Sequence, residues 1–460
     1  MQKRGFYFTT KRSTLYYYDD LTGNVRYCKD EIKDNTVIYG NEKEEILNIE
    51  KEKIKAYLDL HGFQQLKLIV TEECNLRCRY CVYSGNYSNN RTHISEYMNF
   101  ETAKMAIDKY LLSFKNIKYK NPIKYPCIGF FGGEPLLNYK LINKVINYSK
   151  KIYKNKILYS ITTNALLLDD DKIKFLASNK VELAISLNGN KSENDRLRVL
   201  PNGNGTYDII LKKLNRIRTL YPEYYKKHCS ILIVYDTGTD LLKLSNFICE
   251  NSDILPRPVM INAVSSYFTN WYDQYSKEDK IKFKESVLKL RDIYIKQVKK
   301  GEVERFLALL FGKNFYEILN RYLNIGFNKL KPDFLKYTGA CVPGSKVAVD
   351  TKGYIHCCER VPQSRPIGTV KDGIDYDKIS ELLHKYNNEI TSKCINCPIQ
   401  RLCTLCYAHL LDSDGEFRKS DAHLCNNLIN IYIKRFSFLW GLLEDGAKPE
   451  NFTKIQTKGL

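Results

Sequence analysis

Thr71-Glu72-Glu73-Cys74-Asn75-Leu76-Arg77-Cys78-Arg79-Tyr80-Cys81 directly follows a short apolar run, Gln65–Val70. The run is rich in Leu, Ile and Val and reads as a buried strand. The cysteines after it are spaced C-x3-C-x2-C. Thiolates select soft metals and iron–sulfur clusters. Three of them on one tight loop suit three irons of a cubane [4Fe–4S] cluster, which leaves the fourth iron without a protein ligand. The amine and carboxylate of a small molecule can chelate such an iron. A zinc ion with a distant fourth ligand is the competing reading.

Outward from this loop, strand-like runs recur at Ile128–Phe131, Lys156–Thr162, Val181–Leu187 and Ser230–Val234. Helical stretches lie between them: Phe100–Ser113, Tyr139–Tyr153, Asp169–Ala177 and Thr206–Leu220. The alternation predicts repeated βα units and a parallel sheet, closed partly or fully into a barrel. Ligand sites in such sheets form at the C-terminal ends of the strands. Gly132-Gly133-Glu134-Pro135 follows the second strand. Its glycines let backbone approach a ligand closely, and Glu134 can accept from an ammonium. Thr162-Thr163-Asn164 ends the third strand and Ser186-Leu187-Asn188-Gly189 the fourth. Ordinary strand-end turns are the alternative for these last two.

A second cysteine region follows a charged helical stretch, Lys277–Lys299. It holds Cys341, Cys357, Cys358, Cys394, Cys397, Cys403, Cys406 and Cys425, with C-x2-C-x5-C-x2-C running from Cys394 to Cys406. Eight thiols suffice for two further clusters, while paired C-x2-C units are also a zinc signal. The chain has 15 cysteines in all, and Cys28, Cys127, Cys229 and Cys249 stand alone as small apolar residues without an assigned function.

The segments above resemble the radical SAM superfamily. The resemblance implies an α/β fold: a radical SAM partial (β/α)6 barrel with a small N-terminal α+β unit and a C-terminal cysteine-rich SPASM domain. It implies that Cys74, Cys78 and Cys81 hold the catalytic [4Fe–4S] cluster, with Tyr80 as the aromatic residue before the last cysteine. That cluster would pass one electron to S-adenosyl-L-methionine (SAM), giving a 5′-deoxyadenosyl radical that abstracts hydrogen from substrate. Gly132, Gly133, Glu134 and Pro135 match the motif that binds the SAM amino group. Thr163, Asn164, Ser186 and Arg198 fall where relatives bind SAM, with Arg196 as the competitor of Arg198.

The second region resembles SPASM domains, whose interleaved pattern implies one auxiliary cluster on Cys394, Cys397, Cys403 and Cys425. It implies another on Cys341, Cys358 and Cys406, with an open iron or with Cys357 as the fourth ligand. Only Thr404 and Leu405 separate Cys403 from Cys406, where relatives usually have three residues. The run is similar to maturases of cysteine-rich ribosomal peptides that form thioether bonds. Carbon–carbon crosslinking, epimerisation and sulfatase maturation are alternatives within the family. A non-catalytic iron–sulfur or zinc protein is the alternative outside it, and the Gly132–Pro135 motif argues against that. Implied partners are a precursor peptide with its leader and a flavodoxin- or ferredoxin-type one-electron reductant.

Length and composition set the frame. The 460 residues exceed one compact core. The expected division is 1–63, a leader-recognition unit of three strands (Phe6–Thr9, Ser13–Tyr18, Asn24–Cys28) and a helix (Glu42–Leu60); 64–265, the radical SAM core; 266–336, a helical connector; 337–430, the SPASM domain; and 431–460, a helix (from about Asn427 to Leu443) and tail. No apolar run spans a bilayer and no secretory signal begins the chain, so a cytoplasmic protein without a membrane partner is expected. The net charge of +20 is dispersed along the chain. It reads as a solvated surface able to attract an acidic leader rather than as a nucleic-acid interface.

Overall fold

The computed structural model describes residues 3–29, 34–43, 47, 49–117, 125–319, 332–335, 340–403, 405–418 and 422–452. Four antiparallel strands come first: β1 (Gly5–Thr9), β2 (Leu15–Asp19), β3 (Val25–Tyr27) and β4 (Val37–Ile38), in the order β3-β2-β1-β4. Alternation along β1 and β2 sends Phe6, Phe8 and Tyr18 to one face, where all three are wholly buried. The helix expected from Glu42 begins only at Lys51 and runs to His61. Leu47 and Ile49, inside the expected span, are buried against the core without being helical. Residues 44–46 and 48 of that span lie outside the described residues.

Six parallel strands follow: β5 (Gln65–Thr71), β6 (Cys127–Gly132), β7 (Leu158–Thr163), β8 (Glu182–Ser186), β9 (Cys229–Tyr235) and β10 (Pro258–Ala263). The connecting helices include Phe100–Asn116, Tyr139–Ile152, Asp170–Ser178, Tyr207–Leu220 and Leu241–Glu250. This is the expected α/β partial barrel of βα units. β10 is not among the expected strands: its apolar stretch is only Val259–Ile261, bounded by Pro258 and Asn262, and Val259 and Met260 are exposed.

Four more strands complete the sheet. β11 (Lys346–Val349) runs parallel to β5, with Lys346 opposite Gln65, and β12 (Tyr354–His356), β13 (Gly368–Thr369) and β14 (Gly373–Ile374) add on antiparallel. The result is a single ten-stranded sheet, β10-β9-β8-β7-β6-β5-β11-β12-β13-β14. The C-terminal cysteine region therefore extends the barrel sheet from β5, the strand that feeds the Cys74–Cys81 loop.

The helix expected near Asn427–Leu443 spans Ala422–Glu444 and covers the N-terminal sheet. One buried apolar cluster runs continuously from Phe6 through the barrel to Phe452. Parts of the expected connector (320–331 and 336) and of the tail (453–460) lie outside the described residues. Among the described residues, no helix is long and apolar enough to cross a membrane.

Candidate active site

The Cys74–Cys81 loop crosses the mouth of the barrel and is pinned on the far side. Arg77 N–H donates to Val199 O (2.8 Å) and Arg79 N–H to Leu197 O (2.9 Å). On the near side Thr71 Oγ1 donates to Glu96 O (2.8 Å), and Arg77 Nη1 reaches back to Cys74 O (2.5 Å). Backbone N–H groups point at two of the sulfurs, Leu76 N–H at Cys74 Sγ and Tyr83 N–H at Cys81 Sγ, both at 3.5 Å. Burial pushes the Cys74 thiol up to about 12 and the Cys81 thiol up to about 11. A buried thiol ionises when a cation compensates it, which is what a metal cluster supplies.

The motif after β6 packs directly on this loop. Gly133 N–H donates to Thr71 O (3.0 Å) and Glu134 N–H to Glu73 O (2.9 Å). A Cβ on Gly133 would lie 2.1 Å from Glu73 O, and one on Gly132 the same distance from Thr71 O, so only glycine allows this approach. Glu134 is 1% exposed. Its carboxylate accepts from Thr163 Oγ1 (2.6 Å), Asn164 N–H (2.7 Å) and Leu136 N–H (3.1 Å). Burial raises its pKa, against the pull of these donors and of Arg198. Pro135 opens the short turn that follows. Asn164 also donates to Asn75 Oδ1 (2.8 Å), tying the end of β7 to the cysteine loop.

Arg196 and Arg198 separate cleanly. Arg196 is spent in a network with Glu193 (2.5 Å), Asp236 (2.7 Å) and Thr239 (3.1 Å). Arg198 is 4% exposed, donates Nη1 to Tyr80 OH (2.9 Å), and feels the thiols of Cys78 and Cys74. Its Nε and the Nδ2 of buried Asn188 have no partner among the described residues. Ser186 stands half-buried at the end of β8. Strand ends β5 to β8 thus converge on three thiols, a buried carboxylate and a buried guanidinium with unused donors. That donor set fits a [4Fe–4S] cluster and an amino-acid-bearing ligand such as SAM.

The C-terminal thiols fall into two neighbourhoods. Burial pushes Cys394 up to about 12, with the thiols of Cys403 and Cys425 adding to it. Cys397 is raised likewise, with Cys394 and Cys403 beside it. In the other neighbourhood Cys357 is almost wholly buried, and its pKa is raised by burial and then by Cys358 and Cys341. Cys341 in turn feels Cys406. Among the described residues, no trio of His, Cys, Asp or Glu side chains converges on a single ion. The donor set, all thiols in two groups of four, fits iron–sulfur ligation.

Three histidines absent from the sequence reading stand beside these thiols. His93 Nε2 lies 3.8 Å from Cys81 Sγ, and its Nδ1 is 3.4 Å from Glu72 O. His409 Nδ1 lies 3.9 Å from Cys406 Sγ, and its ring stacks on Tyr267 at 4.2 Å. His356, two residues before Cys358, is buried against Asp350 at 2.9 Å. A C-x2-H spacing could have flagged His409; nothing local marks His93. A small pocket of about 10 Å3, room for one water, is lined by Tyr83 and Arg91 from beyond the first cysteine loop and by His356, Cys358 and Glu359 from the second region. A larger, open pocket of about 530 Å3 lies beside Cys78, lined also by Arg77, Tyr83, His93 and Trp271.

Comparison with known proteins agrees with this geometry. Residues 68–248 match the radical SAM superfamily. The chain is 41% identical over 199 residues to the uncharacterized protein MJ0907 of Methanocaldococcus jannaschii, a match covering 40% of this chain and 64% of that protein. It is 24% identical over 416 residues to the radical SAM cyclopropyl synthase TigE of Paramaledivibacter caminithermalis, covering 87% of this chain and 79% of TigE. Its fold matches native anSMEcpe with bound AdoMet at a TM-score of 0.57 and 21% identity, over 83% of this chain and 98% of that one. It also matches the same protein with AdoMet and the Kp18Cys peptide, at a TM-score of 0.53, 21% identity and the same coverage of both chains. Residues 68–248 thus match a radical SAM domain, and the chain spans about two thirds or less of the length of the relatives it matches at 30% identity or more.

Proposed function

We propose that this enzyme modifies a ribosomally made precursor peptide and installs thioether crosslinks from cysteine sulfur to carbon. The observation behind the reading is the close packing of the two thiol regions. Residues that follow the catalytic loop, Tyr83 and Arg91, meet Cys358 and Glu359 of the second thiol region around a small pocket. Tyr83 also lines the open pocket of about 530 Å3 beside Cys78, so a peptide held there would lie next to both regions. The fold likeness to a protein solved with a bound peptide favours a peptide over a small metabolite.

Bound SAM and the cluster on Cys74, Cys78 and Cys81 supply the one-electron chemistry that removes a hydrogen atom from substrate. The remaining tasks fall to side chains. Glu134, held by Thr163 and Asn164, receives the SAM ammonium. Arg198 offers buried positive charge to its carboxylate, and Tyr80 fixes Arg198. Gly132 and Gly133 keep the ligand-facing backbone in contact with the cysteine loop. Cys341, Cys358 and Cys406, with Cys357 next to them, hold the auxiliary cluster nearer the substrate. Cys394, Cys397, Cys403 and Cys425 hold the other.

An external flavodoxin- or ferredoxin-type protein delivers the electron. The leader docks on the N-terminal sheet by strand addition at β3, the edge strand on which Arg26 and Tyr27 are exposed. The basic surface favours an acidic leader.

The test incubates enzyme, SAM and reductant with a cysteine-rich precursor and weighs the product before and after thiol alkylation. Each thioether removes two hydrogens and protects one cysteine. Mass loss with every cysteine still alkylatable would replace the thioether with a carbon–carbon crosslink. An unchanged mass across precursors, with SAM cleaved, would reject the peptide substrate.

A further inference from the structure

The loop from Cys394 to Cys403 spans the thiols of one C-terminal neighbourhood, yet most of what holds it comes from the first 42 residues of the chain. Asn396 sits between Cys394 and Cys397. Gly40 N–H donates to Asn396 O (3.0 Å), Glu42 N–H to Asn396 Oδ1 (2.8 Å), and Asn396 Nδ2 to Glu42 O (3.0 Å). The approach is close enough that a Cβ on Gly40 would lie 2.6 Å from Asn396 Oδ1. Arg4 reaches the same loop, donating to Ile395 O (2.5 Å) and Gln400 Oε1 (3.2 Å).

Arg401, two residues before Cys403, completes the contact from the other side. Its Nε donates to Asp20 O and its Nη2 to Leu21 O, both at 2.5 Å, and its backbone N–H donates to Asp20 Oδ1 (3.1 Å). Asp20 is wholly buried, paired with Arg4 (3.3 Å) and hydrogen-bonded by Tyr18 OH (3.0 Å).

The fourth thiol, Cys425, arrives on the Ala422–Glu444 helix, and that helix also rests on the N-terminal sheet. The Phe436 ring lies 5.2 Å from Phe6, 5.5 Å from Phe8 and 4.8 Å from Tyr18, and Ser437 Oγ donates to Thr9 O (2.6 Å). Both segments that carry Cys394, Cys397, Cys403 and Cys425 are therefore anchored to one sheet.

We infer that the N-terminal sheet is the scaffold on which this thiol site is assembled, with Arg401 and Asn396 as its positioning residues. The inference rests on reading these four thiols as ligands of one [4Fe–4S] cluster. A ligand loop built of turns has few backbone partners of its own. Charged donors, buried Arg4 and half-buried Arg401, fix it and give its carbonyls partners that a short loop cannot supply. Removing Arg401 takes the donor from the carbonyls of buried Asp20 and half-buried Leu21. The site then loses the geometry that four simultaneous thiolate bonds require.

The experiment reconstitutes the full-length chain anaerobically and measures iron and sulfide per chain, together with the electron paramagnetic resonance of the reduced clusters. Arg401→Ala is expected to lose about one third of the iron, one cluster of three, and the matching spectral component. Cys397→Ala is expected to lose the same component. Arg12→Ala, in the turn between β1 and β2, breaks an exposed pair with Asp445 and is expected to keep all iron. Full iron and an unchanged spectrum in Arg401→Ala, with the loss seen in Cys397→Ala, would overturn the scaffold role. Full iron in Cys397→Ala would instead overturn the ligand assignment. If Arg401→Ala does not fold, Asn396→Ala decides: slowed or incomplete iron uptake supports the scaffold, and wild-type uptake rejects it.

Discussion

Glu134 is buried with both carboxylate oxygens engaged by Thr163, Asn164 and Leu136. Those donors fix its direction, so that a ligand ammonium meets a charge already in place. Glu134→Ala is expected to weaken SAM binding by about one to two orders of magnitude, from the loss of a charge-assisted contact worth about 1.5–3 kcal/mol. Its iron content should be unchanged; an unaltered Kd in calorimetry would remove the role. The triple change Cys74→Ala/Cys78→Ala/Cys81→Ala should lose about four irons and all SAM cleavage. Retained cleavage would move the catalytic cluster elsewhere.

Asp236 offers a test away from the cysteines. Burial pushes its carboxyl up, but hydrogen bonds from Arg196 and Tyr275 outweigh that and hold it below the usual range. A depressed folded pKa contributes stability above the unfolded value, about 3.9. That stability is lost as pH falls through the folded value. Asp236→Asn should lower Tm at neutral pH and flatten its fall below about pH 4. An equally steep fall would assign acid sensitivity to other carboxylates.

At the scale of elements, the site depends on a loop trapped between two strand ends. The Thr71–Cys81 segment is sandwiched between the Gly132–Glu134 turn and the Leu197–Val199 strip, with backbone hydrogen bonds to both. Gly133→Ala would drive a methyl group against the Glu73 carbonyl carbon, 2.5 Å away, and the loop would have to shift. It is expected to lower iron retention at the first cluster and to lower Tm, whereas alanine at Gly203, with nothing within 4 Å, should leave iron retention unchanged. Full iron in Gly133→Ala would mean the loop tolerates displacement. The β5–β11 pairing has a separate consequence: the strand leading into the catalytic loop is also a neighbour of the hairpin that carries Cys357 and Cys358. The packing of Tyr83 and Arg91 near Cys358 and Glu359 follows from that adjacency.

For the whole molecule, the continuous core ties the first strand to the last helix. Phe436 is wholly buried among Phe6, Phe8, Tyr18 and Trp440, the last ring stacked on it at 5.1 Å. Phe436→Ala is expected to cost about 3–5 kcal/mol and to broaden or split thermal unfolding as the N-terminal sheet loosens. A cost under about 1 kcal/mol, within the range of surface substitutions, would show that the sheet is held elsewhere. Removing residues 1–63 outright would uncover this face. Leader recognition is therefore better tested by changes confined to the exposed edge at Arg26 and Tyr27.

The barrel and its cysteine loop were legible in the sequence because their information is local. Three thiols within eight residues, two glycines before a glutamate, and strands alternating with helices are patterns of near neighbours. Five of the six barrel strands followed from apolar runs; β10 did not, its apolar stretch of three residues lying between Pro258 and Asn262. Arg196 and Arg198 differ by two positions on one segment, and only the packed structure turns Arg196 to Asp236 and Arg198 to Tyr80. The extension of the barrel sheet by β11 and the clasp of Asp20 on Arg401 join segments far apart in the chain. Periodicity and composition carry no record of such pairs. They are decided when apolar faces choose partners and buried charges must find one another.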